Sequence, residues 1–207
     1  MVENIMIKPY ELMNYFFQRK DYFNDIGNLL ITLGGLCGYA CQMAAKQEKK
    51  NAILVKAGEK NYFFGEGLNY YLLESKNSFK NIIKNKFESI FPETKFPDVD
   101  EMLKNVAKNV GNKNYKIGGV FNPEDIFCFY LIIWNDITDI INNNCSKPEG
   151  WPILISLTLA EFISVYIKFF GKEKFIILLP IILENAFYTS KIIAKCLFFS
   201  IHFIDKK

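Results

Sequence analysis

Residues Ile26 to Ala45 run for 20 positions without one charged side chain. As a helix this stretch is about 30 Å long, and it has two homes: the centre of a helical bundle or the hydrocarbon core of a bilayer. Gly34 and Gly38, and Cys37, Cys41 and Ala45, repeat at four-residue spacing. One face therefore carries only small side chains, so a neighbouring helix can approach closely. Acidic residues (Asp21, Asp25) precede the stretch and lysines (Lys46, Lys49, Lys50) follow it, which keeps membrane association through residues 26–45 open as an alternative. The remaining charges favour a bundle. Glu161 and Lys168, and Glu184 and Lys191, interrupt the other long apolar segments, and an ionised group at the bilayer centre costs roughly 2.5 to 3.5 kcal/mol. Mean hydropathy is only +0.06.

The periodicity around this stretch predicts the rest of the architecture. Pro9 opens an amphipathic helix that ends near Arg19 or Lys20, and the charge-free helix runs from about Asn24 to Gln47. Ile53-Leu54-Val55-Lys56 and Tyr62-Phe63-Phe64 flank Ala57-Gly58-Glu59-Lys60, the pattern of a β-hairpin. A two-stranded hairpin is marginal alone, so it must lie on the helices. After Ser78, Phe79, Ile82, Ile83, Phe87, Ile90 and Phe91 form one helical stripe. Asp98 and Glu101 then have the spacing of a capping box. Asn122 and Pro123 open a helix to about Asn143, apolar on nearly every side from Ile126 to Trp134 and therefore expected at the centre. Trp151-Pro152 opens another, to Phe170, and a last helical region covers Lys172 to about Lys195, where Pro180 either kinks the helix or forms its first turn. The expected fold is mainly α: a single-domain multi-helix bundle of about seven helices with one β-hairpin at about residues 52–65, in one domain over 1–207. A chain of 207 residues buries roughly 70% of its unfolded surface and needs no metal or disulfide to fold.

The residues exclude more chemistry than they suggest. The single histidine, His202, removes every site that needs two imidazoles. A di-iron carboxylate bundle needs two Glu-x-x-His elements, and Phe199 stands three residues before His202. No Cys-x-x-Cys, nucleophile elbow, phosphate-binding loop or dinucleotide fingerprint is present. No catalytic residue, metal site or cofactor is expected. Of 25 basic residues only Arg19 is arginine, and lysine brings charge without the bidentate fork that reads guanine edges; no specific nucleic acid is expected. Five cysteines, an odd number, with no leader pattern before them, read as reduced thiols of a cytoplasmic protein.

Four residues remain as candidate ligand-binding groups. Cys37 and Cys41 share a helical face, where they either help hold a soft ligand or serve as small residues at a helix contact. Glu161 and Glu184 interrupt apolar stretches, where an unpaired carboxylate is costly to bury. Each reaches a partner such as Lys168 or Lys191, lies at the surface edge, or faces a cavity as the polar group of an apolar interhelical pocket.

Asn28 to Ala45, Tyr62-Phe63-Phe64-Gly65 and Trp151-Pro152-Ile153 together resemble an uncharacterised group of small, mostly helical bacterial proteins. The resemblance spans most of the chain and implies no activity, cofactor or site residue. With 20 Phe, 11 Tyr and 2 Trp and an apolar Cys196–Ile204 segment, the leading expectation is a non-enzymatic bacterial interaction or accessory protein, possible immunity types included. It would act through an apolar, aromatic-rich surface on a protein partner or a second copy. The alternatives are a helical protein or enzyme holding a small apolar ligand, and membrane association through residues 26–45.

Overall fold

A computed structural model describes residues 9–19, 25–48 and 51–193. The apolar segment 196–204 and His202 lie outside the described residues. The elements, in order, are α1 (Tyr10–Gln18), α2 (Ile26–Gln47), β1 (Ile53–Ala57), β2 (Lys60–Phe64), α3 (Glu66–Asn69, widening into a π-helical turn Tyr70–Glu74), α4 (Phe79–Ile90), α5 (Val99–Asn109), α6 (Phe127–Asn144), α7 (Gly150–Phe170) and α8 (Lys172–Thr189). Seven of these helices have nine residues or more, so the chain is mainly α with a single antiparallel hairpin among the described residues.

Local chemistry sets the helix ends. Asp25 Oδ1 accepts from the Asn28 N–H (2.7 Å), Ser78 Oγ from Asn81 N–H (3.3 Å) and Asp98 Oδ1 from Glu101 N–H (3.1 Å), each pairing a donor that the helix cannot. Gly171, at φ +89°, ends α7 in a conformation that an L side chain rarely adopts.

The charge-free helix is the centre of the bundle, with α7 on one side and α8 on another. Fifteen of its residues are buried. Gly34 and Gly38 form a notch for the backbone of α8: a Cβ at Gly34 would stand 2.7 Å from the Ile182 carbonyl oxygen, and one at Gly38 would fall on the Ala186 carbonyl oxygen and 2.5 Å from Thr189 Oγ1. Because the backbones approach this closely, polar side chains of α8 reach the α2 carbonyls. Asn185 Nδ2 donates to Ile31 O (2.8 Å) and Thr189 Oγ1 to Gly35 O (2.9 Å). Gln42 Nε2 donates in return to Ser190 O and Ile192 O, both at 2.9 Å. Partners rise together in number along both helices, so α2 and α8 run parallel.

Three expectations change. α6 is not central: Cys128 and Ile132 face outward and only one stripe, Phe127, Tyr130, Ile133, Trp134, Ile137 and Ile141, is buried. It starts at Phe127, because Asn122 Oδ1 accepts from Glu124 N–H two residues on and forms a tight turn before any helix begins. α8 keeps Pro180 inside it, so Pro180 is not its first turn, and the helix ends at Thr189, not near Lys195. Glu66–Glu74 is also helical, buries Leu68, Tyr71 and Leu72, and is held to the end of α2 by the bond from Tyr71 Oη to Glu48.

Replacing Gly38 by Ala places a methyl on the Ala186 carbonyl and should destabilise the fold by about 3 kcal/mol, the upper end of overpacking. Urea unfolding followed by circular dichroism measures this, and an unchanged midpoint would show that the α2–α8 approach carries no such constraint.

Candidate functional site

The four sequence-derived candidates do not come together. Cys37 and Cys41 are fully buried in α2, and Ser156 Oγ lies 3.7 Å from Cys37 Sγ. Burial pushes the Cys37 thiol up to about 12, and Cys41 well above the ordinary thiol range. Cys37 serves as a small residue at the contact with α7, and Cys41 is buried one turn on along the same helix. Glu161 is exposed on α7, at the surface edge and not beside a cavity. Glu184 is half-buried; its carboxylate accepts from Asn105 Nδ2 (3.1 Å) and from the Tyr115 hydroxyl, not from Lys191. Neither glutamate nor either cysteine lines any of the three clefts described at Asn51–Glu74, Lys80–Asp100 and Met43–Trp151. Among the described residues no three His, Cys, Asp or Glu side chains gather as metal ligands would.

The structure instead assembles a polar network that the sequence analysis missed. Glu124, in the turn before α6, accepts from Tyr62 Oη of β2 (2.5 Å), from Tyr188 Oη of α8 (3.0 Å) and from Lys60 of β2. Tyr188 in turn accepts from the Gly111 N–H (3.2 Å) and stacks on Tyr115 (5.5 Å between centroids, 16° between planes). Tyr115 carries the network on to Glu184. Burial pushes the Tyr62, Tyr115 and Tyr188 phenols up, and their carboxylate acceptors push further. Burial alone would raise the Glu124 carboxyl; hydrogen bonds from Lys60, Tyr62 and Tyr188, with the Lys60 charge, hold it below the usual carboxylate range. A carboxylate this fully engaged is a poor general base. Its role is to fasten the hairpin to α8.

A second set of contacts fixes the other edge of the hairpin. Phe63 N–H donates to Lys191 O at 2.8 Å, and the buried Lys191 ammonium lies over the Phe64 ring, 4.4 Å from its centroid. Burial pushes this amine down to about 8. Tyr62 and Phe63 are both buried, so β2 is covered on both faces.

β1 is left bare. Ile53 is 58% exposed, Leu54 62% and Val55 39%. The register pairs Ile53 with Phe64, Leu54 with Phe63 and Val55 with Tyr62. Antiparallel pairs alternate between bonded and non-bonded. Since Phe63 aims its N–H away from β1, at Lys191, its partner Leu54 and, two on, Lys56 aim their N–H and C=O groups at the free edge. The arrangement is a rigidly held strand that offers apolar side chains and unpaired backbone groups to an extended chain.

A cleft of about 310 Å³ opens between α2, α6 and α7, lined by Met43, Trp134, Asn135, Asp139, Asn142 and Trp151 among others. The two indoles meet edge to face at 6.0 Å, and Trp151 Nε1 is buried without an acceptor.

Glu124→Ala leaves two buried hydroxyls without their acceptor and should cost about 2 kcal/mol. The pH dependence follows from the lowered carboxyl. Its stabilisation is fully present above the ordinary glutamate value of about 4.3 and is lost as pH falls through the lower folded value. Wild-type stability should therefore fall on acidification more steeply than that of Glu124→Gln, with urea midpoints between about pH 5 and pH 2 as the measurement; parallel curves would show that the carboxylate is not held this way. Compared with family models, curated proteins and solved structures, the chain has no match in any of the three.

Proposed function

We propose that the protein is a non-enzymatic interaction protein that pairs an extended polypeptide with the free edge of β1, and that a second copy of the chain fits this edge. The bare strand carries the reading: its apolar side chains are exposed while the strand beside it is buried on both faces. Self-pairing has a register without like-charge conflict. With Val55 opposite its own copy on a twofold axis, the outward backbone groups of Leu54 meet those of Lys56, and the lysines do not face each other. The result is a four-stranded sheet, past the size at which a hairpin is marginal. Four free thiols among the described residues, three of them buried, support a reducing, cytoplasmic setting, and the lysine-, asparagine- and isoleucine-rich composition supports a bacterial source.

Leu54→Pro removes an outward N–H and none of the bonds to β2. It should weaken self-association at least tenfold in size-exclusion chromatography with light scattering, and Leu54→Ala, which keeps the N–H, should weaken it less. A wild-type chain that is monomeric at every concentration, with Leu54 and Lys56 amides exchanging at unprotected rates, would overturn the reading.

The tryptophan cleft favours a second reading, a small apolar ligand between helices. Its volume lies at the lower end for ligand sites, and a buried indole N–H without an acceptor has something to gain from one. The chain's only two tryptophans line it, so their emission should shift on titration with small aromatic ligands. Emission that stays constant up to ligand solubility removes this reading.

A further inference from the structure

The far end of α8 carries a different surface. The N-terminus of α8 and the hairpin lie at opposite ends of an 18-residue helix, about 27 Å apart. α7 is long and apolar enough to cross a membrane, yet less than half of its most apolar stretch is buried. Its buried residues stop at Ile163, Tyr166 and Ile167 still pack on the core, and Lys168, Phe169 and Phe170 extend past it before the chain turns at Gly171 into α8. Phe169 is 69% and Ile177 73% exposed, with Phe170 and Ile176 beside them. This tip is a firm element. Tyr166 stacks on Phe170 (4.9 Å) and packs against Phe175 (6.3 Å), and Lys172 Nζ donates to Ile90 O (2.8 Å).

Three lysines, Lys168, Lys172 and Lys174, interleave with these apolar groups, and Glu173 is the only acid between Phe162 and Leu183. Lysine is depleted in protein–protein interfaces. Exposed phenylalanine and isoleucine ringed by lysine is instead the pattern that sits at the boundary between headgroups and acyl chains, where the apolar groups enter and the ammonium groups meet lipid phosphate. We propose that the α7–α8 tip docks on the surface of an anionic bilayer, with Phe169 and Ile177 entering the interface and Lys168 and Lys174 on the phosphates. This docking uses neither α2, whose apolar length is spent inside the bundle, nor the β1 edge.

Co-sedimentation of the full chain with phosphatidylcholine vesicles, with and without phosphatidylglycerol, tests it. Binding is expected with the anionic vesicles, much less with phosphatidylcholine alone, and falling as salt rises. Phe169→Ser and Ile177→Ser should together weaken it at least tenfold, and Lys168→Gln and Lys174→Gln each roughly fivefold. Circular dichroism confirms folding, and if the apolar pair misfolds, the lysine variants alone decide. Leu54→Pro should bind vesicles as the wild type does. Failure to sediment with anionic vesicles, or binding indifferent to the lysine changes and to salt, overturns the proposal. So does a Phe169→Ser effect on oligomeric mass with none on vesicle binding, which makes the tip a protein contact.

Discussion

The approach of α8 to α2 over Gly34 and Gly38 is the contact on which the rest of the molecule hangs. Helices that meet through side chains tolerate a shift of register; helices that meet backbone to backbone do not, because each Cβ vector on the facing side is occupied. Asn185 and Thr189 bond to carbonyls of α2 in the same register, so steric fit and hydrogen bonding select one alignment. That alignment fixes where Tyr188 and Lys191 emerge, and with them the position of the hairpin. It also gives Cys37 its part, as a residue small enough to let Ser156 of α7 in on the adjoining side.

A two-stranded hairpin on a helical bundle needs anchors, and here they lie on one strand. Tyr62 and Lys60 reach Glu124, Phe63 takes the Lys191 carbonyl, and Phe64 lies under the Lys191 ammonium. These fastenings belong to β2, while Ile53, Leu54, Val55 and Lys56 of β1 keep their side chains exposed. Burying Lys191 carries a cost, since burial favours the neutral amine, and the ring beneath it offsets part of that cost.

What the sequence discloses and conceals follows from how far each signal reaches. Asp98 was readable as a cap because a cap acts over three residues, and the glycine notch was readable because four-residue spacing is a property of one helix. The Glu124 network was not: its members lie 62 to 79 positions apart, and no local pattern marks a tyrosine that will meet a glutamate. Ile53-Leu54-Val55 read as a strand, but three apolar residues in a row do not say which face, if either, is covered. Glu161 and Glu184 look alike in sequence; only the packing around α7 and α8 separates an exposed carboxylate from one held by Tyr115 and Asn105. Pro180 left two readings open because a ring that removes one helical bond either opens a helix or lets it pass where its neighbours hold it.

The parallel pairing of α2 with α8 also sets a clock. The two halves of the central contact are separated by about 150 positions, as in Gly35 with Thr189, so the loop that must close is most of the chain and the native pair is among the last to form. A ribosome releases α2 long before its partner exists, leaving a 22-residue helix, charge-free over its first 20 positions, to wait with its small-residue face open. Such a segment invites a holdase or a mismatched neighbour in the interval. The feature that makes the finished bundle singular in its alignment thus leaves that face of the nascent chain uncovered until α8 arrives.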